Sequence, residues 1–216
     1  MAWVLGFGIE VFSAVVFAVP VVFILRVLIL KQREFPKTAM LIIFALYLTA
    51  VFSVTGIPSV ISWNRHPEFN LIPLLDIVNN PLAYIRNTLL NIVLFMPLGF
   101  LLPALWKKYR SLRMTAAAGF LLSLFIEILQ IFSFRLTDVD DLITNTAGAV
   151  LGYCISRRID FRLPFGIKEE ENGKGSRWEP VILFGIVFLI SFFLKPVLSN
   201  AIWDGVLESS LWESIK

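Results

Sequence analysis

From residue 114 to residue 134 the chain carries a single ionisable side chain, Glu127. The hydrocarbon core of a bilayer takes about 20 apolar residues wound as a helix. Comparable blocks lie at about residues 3–30, 38–61, 84–105 and 180–198, with a less apolar one at 139–156. Inside a bilayer every backbone polar group needs an internal partner, so runs of this length fold as helices. A closed outer-membrane barrel requires short alternating strands, which these runs exclude. The expected fold is therefore all-α: a polytopic membrane bundle of about six transmembrane helices. Composition agrees, with 57% hydrophobic and only 16% charged residues, against about 25% charged in soluble domains.

Lys and Arg set the orientation. On one side lie Lys31, Arg33 and Lys37, then Lys107, Lys108, Arg110 and Arg113, then the six basic residues between Arg157 and Arg177. The other side has Arg65, Arg86, Arg135, Lys195 and Lys216. Thirteen against five makes the first side cytoplasmic and puts both termini outside. A net charge of +3 concentrated in these loops reflects insertion rather than nucleic-acid binding. The first apolar block is too long for a signal-peptide core and lacks a basic leader. Cys154 is the one cysteine, so no intrachain disulfide forms.

Four parts follow: an N-terminal transmembrane helix (1–36), a transmembrane core (37–158), a cytoplasmic linker (159–179) and a C-terminal transmembrane helix with an outer amphipathic helix (180–216). The connection 62–83, broken by Pro67, Pro73 and Pro81, is apolar enough to lie in the outer interface. The amphipathic pattern runs through Ile202, Trp203, Val206, Leu207, Leu211, Trp212 and Ile215.

Ionisable and amide groups inside spans are costly and point by default to function. In the fifth span Asp138, Asp141, Asn145, Gly148 and Gly152 recur at steps of three and four, which places them on one helical face. The glycines permit close helix approach, so this face meets protein. The fourth span puts Ala116, Gly119, Ser123, Glu127 and Gln130 on one face, and the third has Asn87 and Asn91 one turn apart below Arg86. Three consecutive spans thus carry polar groups at one depth. The simplest arrangement is an outward pocket lined by Asn87, Asn91, Glu127, Gln130, Asp141 and Asn145. Arg86, Arg135, Asp138 and Asp140 would form its rim. The competing reading is structural: amides and acids also bond helices together, Arg135 can simply pair with an acid, and Asp138 can cap the fifth helix. Paired carboxylates suit acid–base work, a hard cation such as Mg²⁺ or Ca²⁺, or a proton-coupled carrier. No zinc-type set, nucleotide loop or Ser-His-Asp pattern is present.

Four blocks in order resemble the VanZ-like family. They are Asn70-Leu-Ile-Pro73, the run from Asn91 to Pro103 containing Met96-Pro97-Leu98-Gly99, Ser123-Leu-Phe-Ile-Glu-Ile-Leu-Gln130, and Arg135-Leu-Thr-Asp-Val-Asp-Asp141 continuing to Tyr153. The resemblance covers about residues 40–157 and leaves the first and last spans aside. It implies a multi-pass protein of the bacterial cell membrane and low-level resistance to the glycopeptide teicoplanin, a phenotype rather than a reaction. It carries no catalytic residue; only Asn91, Glu127, Gln130, Arg135, Asp138, Asp141 and Asn145 fall on its motifs.

The expectation is a resistance-type protein at the outer leaflet that binds or modifies a lipid-linked or cell-wall component, or the glycopeptide itself. Glu127 and Asp141 would polarise the ligand or move a proton. Arg86 and Arg135 would hold its anionic part, and Asn91, Gln130 and Asn145 would orient these groups, with Asn87 in the lining and Asp138 at the rim of the binding site. No metal or cofactor is assigned. A small proton- or ion-coupled transporter or flippase, and a non-catalytic scaffold, are the alternatives.

Overall fold

A computed structural model describes residues 2–29, 35–60, 69–70, 80–133, 137–158 and 178–208. Arg135, most of the 62–83 connection, most of the linker, and Leu211, Trp212 and Ile215 of the amphipathic pattern lie outside them. The described chain is helical apart from one short strand pairing, and five helices are long and apolar enough to cross a membrane. It divides into two compact units, residues 1–63 with 178–216, and residues 64–177.

The first unit contains α1 (Ala2–Ile24), α2 (Phe35–Val54) and α6 (Glu179–Leu207). The inner face of α1 is narrow: Ser13, Ala14 and Ala18 are fully buried, and small residues let helices approach closely. α2 presents Leu41, Phe44, Ala45, Leu48, Val51 and Phe52 at three- and four-residue steps. Phe52 meets Phe184 and Phe188 edge-on, with centroids 5.7 and 6.2 Å apart. Although sequence order groups α2 with the core, α2 packs in the same unit as α1 and α6.

Ion pairs join these helices. Arg26, in the π-helical stretch Leu25–Ile29 that continues α1, lies 2.6 Å from Glu179, and Lys37 lies 3.8 Å from the same carboxylate. Lys195 lies 3.1 Å from Glu10. α6 runs unbroken through a π-helical stretch, Ile190–Leu194, to Leu207, so Ile202 to Leu207 continue the last span. Pro196 has no N–H to offer the Phe192 carbonyl four residues back. The Val60 N–H donates to that carbonyl instead, at 3.1 Å, which answers the demand for backbone satisfaction in an apolar setting.

The second unit contains α3 (Pro81–Leu105), α4 (Leu112–Gln130) and α5 (Val139–Arg158). A 3₁₀ turn, Lys107–Arg110, joins α3 to α4. Asn80 caps α3 by accepting from the Ala83 N–H, with Pro81 at the first helical position. Ahead of α3 and α5 two short strands pair in parallel, β1 (Phe69–Asn70) and β2 (Thr137–Asp138), with Phe69 opposite Thr137 and Asn70 opposite Asp138.

α5 is the centre of this unit, packed on both α3 and α4. It is too polar to count among the five apolar spans, yet at 20 residues it measures about 30 Å. Its glycines explain the packing. A Cβ on Gly148 would strike the Ile92 carbonyl, and one on Gly152 the Met96 carbonyl. From the other side, a Cβ on Gly99 would strike the Ala149 carbonyl. α3 and α5 therefore touch backbone to backbone, as the spacing of Gly148 and Gly152 implies.

Candidate functional site

The junction between α4 and α5 is built by carboxylates that hold backbone. Glu127, in the last turn of α4 and 3% exposed, accepts the Asp138 N–H through Oε2 at 2.9 Å. Asp138 then caps α5: its Oδ1 accepts the Asp140 N–H at 2.8 Å. The capping alternative for Asp138 is thus realised in the structure. Together these bonds fix where α5 starts and how its first turn is aimed.

Deeper in the unit, side chains tie the three helices together. Asn91 of α3 donates through Nδ2 to Asp141 Oδ1 at 2.6 Å and lies 3.4 Å from Thr144 Oγ1. The Thr144 hydroxyl donates to the Asp140 carbonyl at 2.9 Å. Asn145 donates to Ser123 Oγ of α4 at 2.9 Å. The Ser123 hydroxyl in turn lies 3.4 Å from the Asp141 carbonyl it donates to. The Asn91 bond holds one oxygen of the Asp141 carboxylate.

Above this layer is a cavity of about 270 Å³. From α3 and its cap it takes Asn80, Ala83, Tyr84, Asn87 and Thr88; from α5 and its cap it takes Asp138, Asp140, Asp141 and Thr144. Among the described residues three carboxylates, two amides, two hydroxyls and a phenol face one space. Among the described residues the acids do not converge as a metal-holding group. Such a wall is suited to a ligand bearing an ammonium group or many hydroxyls, since carboxylates accept such donors strongly.

The candidate residues fall in different places around this cavity. Asn87, Asp138 and Asp141 line the cavity as expected, and Asp140 lines it too. Asn91 sits one layer below and acts through Asp141. Glu127, Gln130 and Asn145 are buried but do not line the cavity; Glu127 and Asn145 bond between α4 and the start of α5 instead. Arg86 is exposed and is not a lining residue, and Arg135 lies outside the described residues. Asn80, Tyr84, Thr88 and Thr144 are lining residues that the sequence reading passes over. A signal for them exists: Asn80, Tyr84, Asn87 or Thr88, and Asn91 form a polar stripe at helical spacing.

Comparisons with known proteins agree with this core. The family model described as VanZ/LLP1 matches residues 44–160, which is more than half the chain and includes all of α3, α4 and α5. Protein VanZ of Enterococcus faecium is 31% identical over 106 residues, 49% of this chain and 60% of that protein. The chain thus matches about 60% of that relative's length. No solved structure matches. Five membrane-length apolar helices and this match make the chain a multi-pass membrane protein. The hydrogen-bonded junction of α3, α4 and α5 lies wholly within the matched segment, and the chain belongs to the VanZ/LLP1 family.

Proposed function

We propose that this protein works at the outer leaflet of the bacterial cell membrane and contributes to low-level glycopeptide resistance. Its ligand is an envelope lipid, a wall precursor or the glycopeptide itself. The observation that carries the reading is the acid-lined cavity at the N-terminal ends of α3 and α5. The opposite end of the same helices carries Lys107, Lys108, Arg110, Arg157 and Arg158. Under the charge rule for membrane insertion this supports a cytoplasmic basic end and an outward cavity.

Within this reading Asp141 and Asn87 contact the ligand's cationic or hydroxyl-bearing part. Asp141, oriented by Asn91, is the group placed to accept a proton or a hydrogen bond. Glu127 is a positioning residue that sets the start of α5 through the Asp138 amide.

The test is teicoplanin susceptibility at matched membrane levels. Asp141→Asn and Asn87→Ala are expected to return cells to the susceptibility of cells lacking the protein. Glu127→Gln keeps an amide oxygen for the Asp138 N–H and should retain resistance, whereas Glu127→Leu should lose it. Undiminished resistance in Asp141→Asn would sink the reading.

Orientation has its own check. Asn87 is exposed and lines the cavity. With the exposed Cys154 replaced by alanine, a cysteine placed at position 87 should react with an impermeant maleimide on intact cells. Labelling that requires lysis would invert the topology.

A further inference from the structure

The end of the second unit away from the cavity carries a charged platform. Lys107, Lys108 and Arg110 stand on the 3₁₀ turn, Arg113 on the first turn of α4, and Arg157 and Arg158 on the last turn of α5. All six are exposed. No Asp or Glu occurs in residues 101–115 or 149–158.

The platform is held in shape. The Tyr153 hydroxyl donates to the Arg110 carbonyl at 2.9 Å, which binds the last turns of α5 to the 3₁₀ turn. Arg110 Nε lies 3.4 Å from the Pro103 carbonyl it donates to, which folds that side chain back on α3. The Thr115 hydroxyl donates to the Tyr109 carbonyl at 2.6 Å and closes the turn onto α4. Lys108 lies 5.8 Å from the centroid of the Tyr109 ring, and Trp106 beneath is 3% exposed. Insertion orientation alone needs only positive charge in the loop. It does not need that loop fastened at three points to the helices on either side.

We propose that this platform is a binding surface for anionic phospholipid headgroups, phosphatidylglycerol being the representative probe. The cations sit where apolar spans end, at the depth of lipid phosphates. Lys and Arg at such a depth attract anionic lipid strongly, with a preference of about fivefold for each cation close to the surface at low salt. The effect decays within a Debye length of about 10 Å at 0.1 M salt. A lipid bound here fixes the depth of α3 and α5. Since α3 has 25 residues, the cavity at its other end then lies about 37 Å away, near the opposite face of the bilayer. The proposal does not depend on what the cavity binds.

The test is lipid selectivity of the full chain in phosphatidylcholine vesicles containing a minor fraction of phosphatidylglycerol, read from spin-labelled lipids held at the protein surface. The wild-type protein should favour phosphatidylglycerol by at least about fivefold at low salt, and high salt should remove the preference. The combined variant K108Q/R113Q/R157Q/R158Q should fall to no preference. Its charge-keeping counterpart K108R/R113K/R157K/R158K should retain it, and so should R86Q at the other end. If the fourfold neutral variant does not fold, R157Q/R158Q serves, with a partial loss expected. Preference surviving in the neutral variants, absent from the wild type, or lost in the charge-keeping variant would overturn the proposal. So would competition by inorganic phosphate at matched concentration, which would indicate a phosphate site rather than a lipid surface.

Discussion

Gly99→Ala is expected to destabilise the protein by about 3 kcal/mol and to disable the cavity at the same time. A Cβ at this position would run into the Ala149 carbonyl and lie 2.9 Å from the Ala149 Cα. The obstacle is backbone, so no rotamer change relieves it and α3 must move off α5. That movement stretches the Asn91–Asp141 bond, which stands at 2.6 Å, and frees the Asp141 carboxylate to turn. Gly152→Ala should behave similarly, because its Cβ would meet the Met96 carbonyl and come within 3.0 Å of the Phe100 amide nitrogen. Gly185→Ala is the control, since nothing lies within 4 Å of a Cβ there. Denaturation of the detergent-solubilised protein, followed by helical signal, gives the stability change. Teicoplanin susceptibility gives the loss of the site. If Gly99→Ala matched the wild type in both, α3 and α5 would not pack backbone to backbone.

Glu179→Gln should cost about 3–5 kcal/mol, the usual range for removing one member of a buried ion pair. Arg26 is 2% exposed and Lys37 6% exposed, and both face this carboxylate. Removing the charge takes from two buried cations the carboxylate they share, and less of their desolvation cost is then offset. Glu10→Gln should cost less, because the Glu10 side chain is 42% exposed and water screens what remains. Replacing Arg26 with Met in the Glu179→Leu background should recover part of the loss, since an apolar pair needs no desolvation. The same denaturation experiment ranks all three. A Glu179→Gln protein as stable as the wild type would mean that the pair contributes nothing to holding α1 and α2 against α6.

Both predictions concern features of different legibility. Gly148 and Gly152 are readable because a helical face is a matter of spacing, and small residues on it mean close approach. The capping role of Asp138 is readable for the same reason: an acid just before a helical run has a backbone amide within reach. Gly99 is hidden in the Met-Pro-Leu-Gly segment of α3, a helix with no second glycine at helical spacing. The Arg26–Glu179 pair was hidden too, as its members stand 153 residues apart and nothing local links them. Val60 gives no sign in sequence that it donates to Phe192; only Pro196, by lacking an N–H, marks that a carbonyl there needs a partner.

Glu127 shows the limit most clearly. Hydropathy gives the depth of a residue in a span, and Asn91 does meet Asp141. Depth does not give the direction in which a side chain points across the bundle. That is fixed by the rotation of α4 against α5, and the rotation places Glu127 under the Asp138 amide instead of at the cavity. The sequence by itself determined the all-α membrane class, the positions of the apolar spans and the close glycine contact of α5. Each of these follows from local spacing and from the cost of unsatisfied backbone in a bilayer. The tertiary structure alone decided the association of α2 with α1 and α6, the residues that line the cavity, and the partner of each buried charge. These depend on which faces of distant helices meet, and no periodicity within a single helix encodes that.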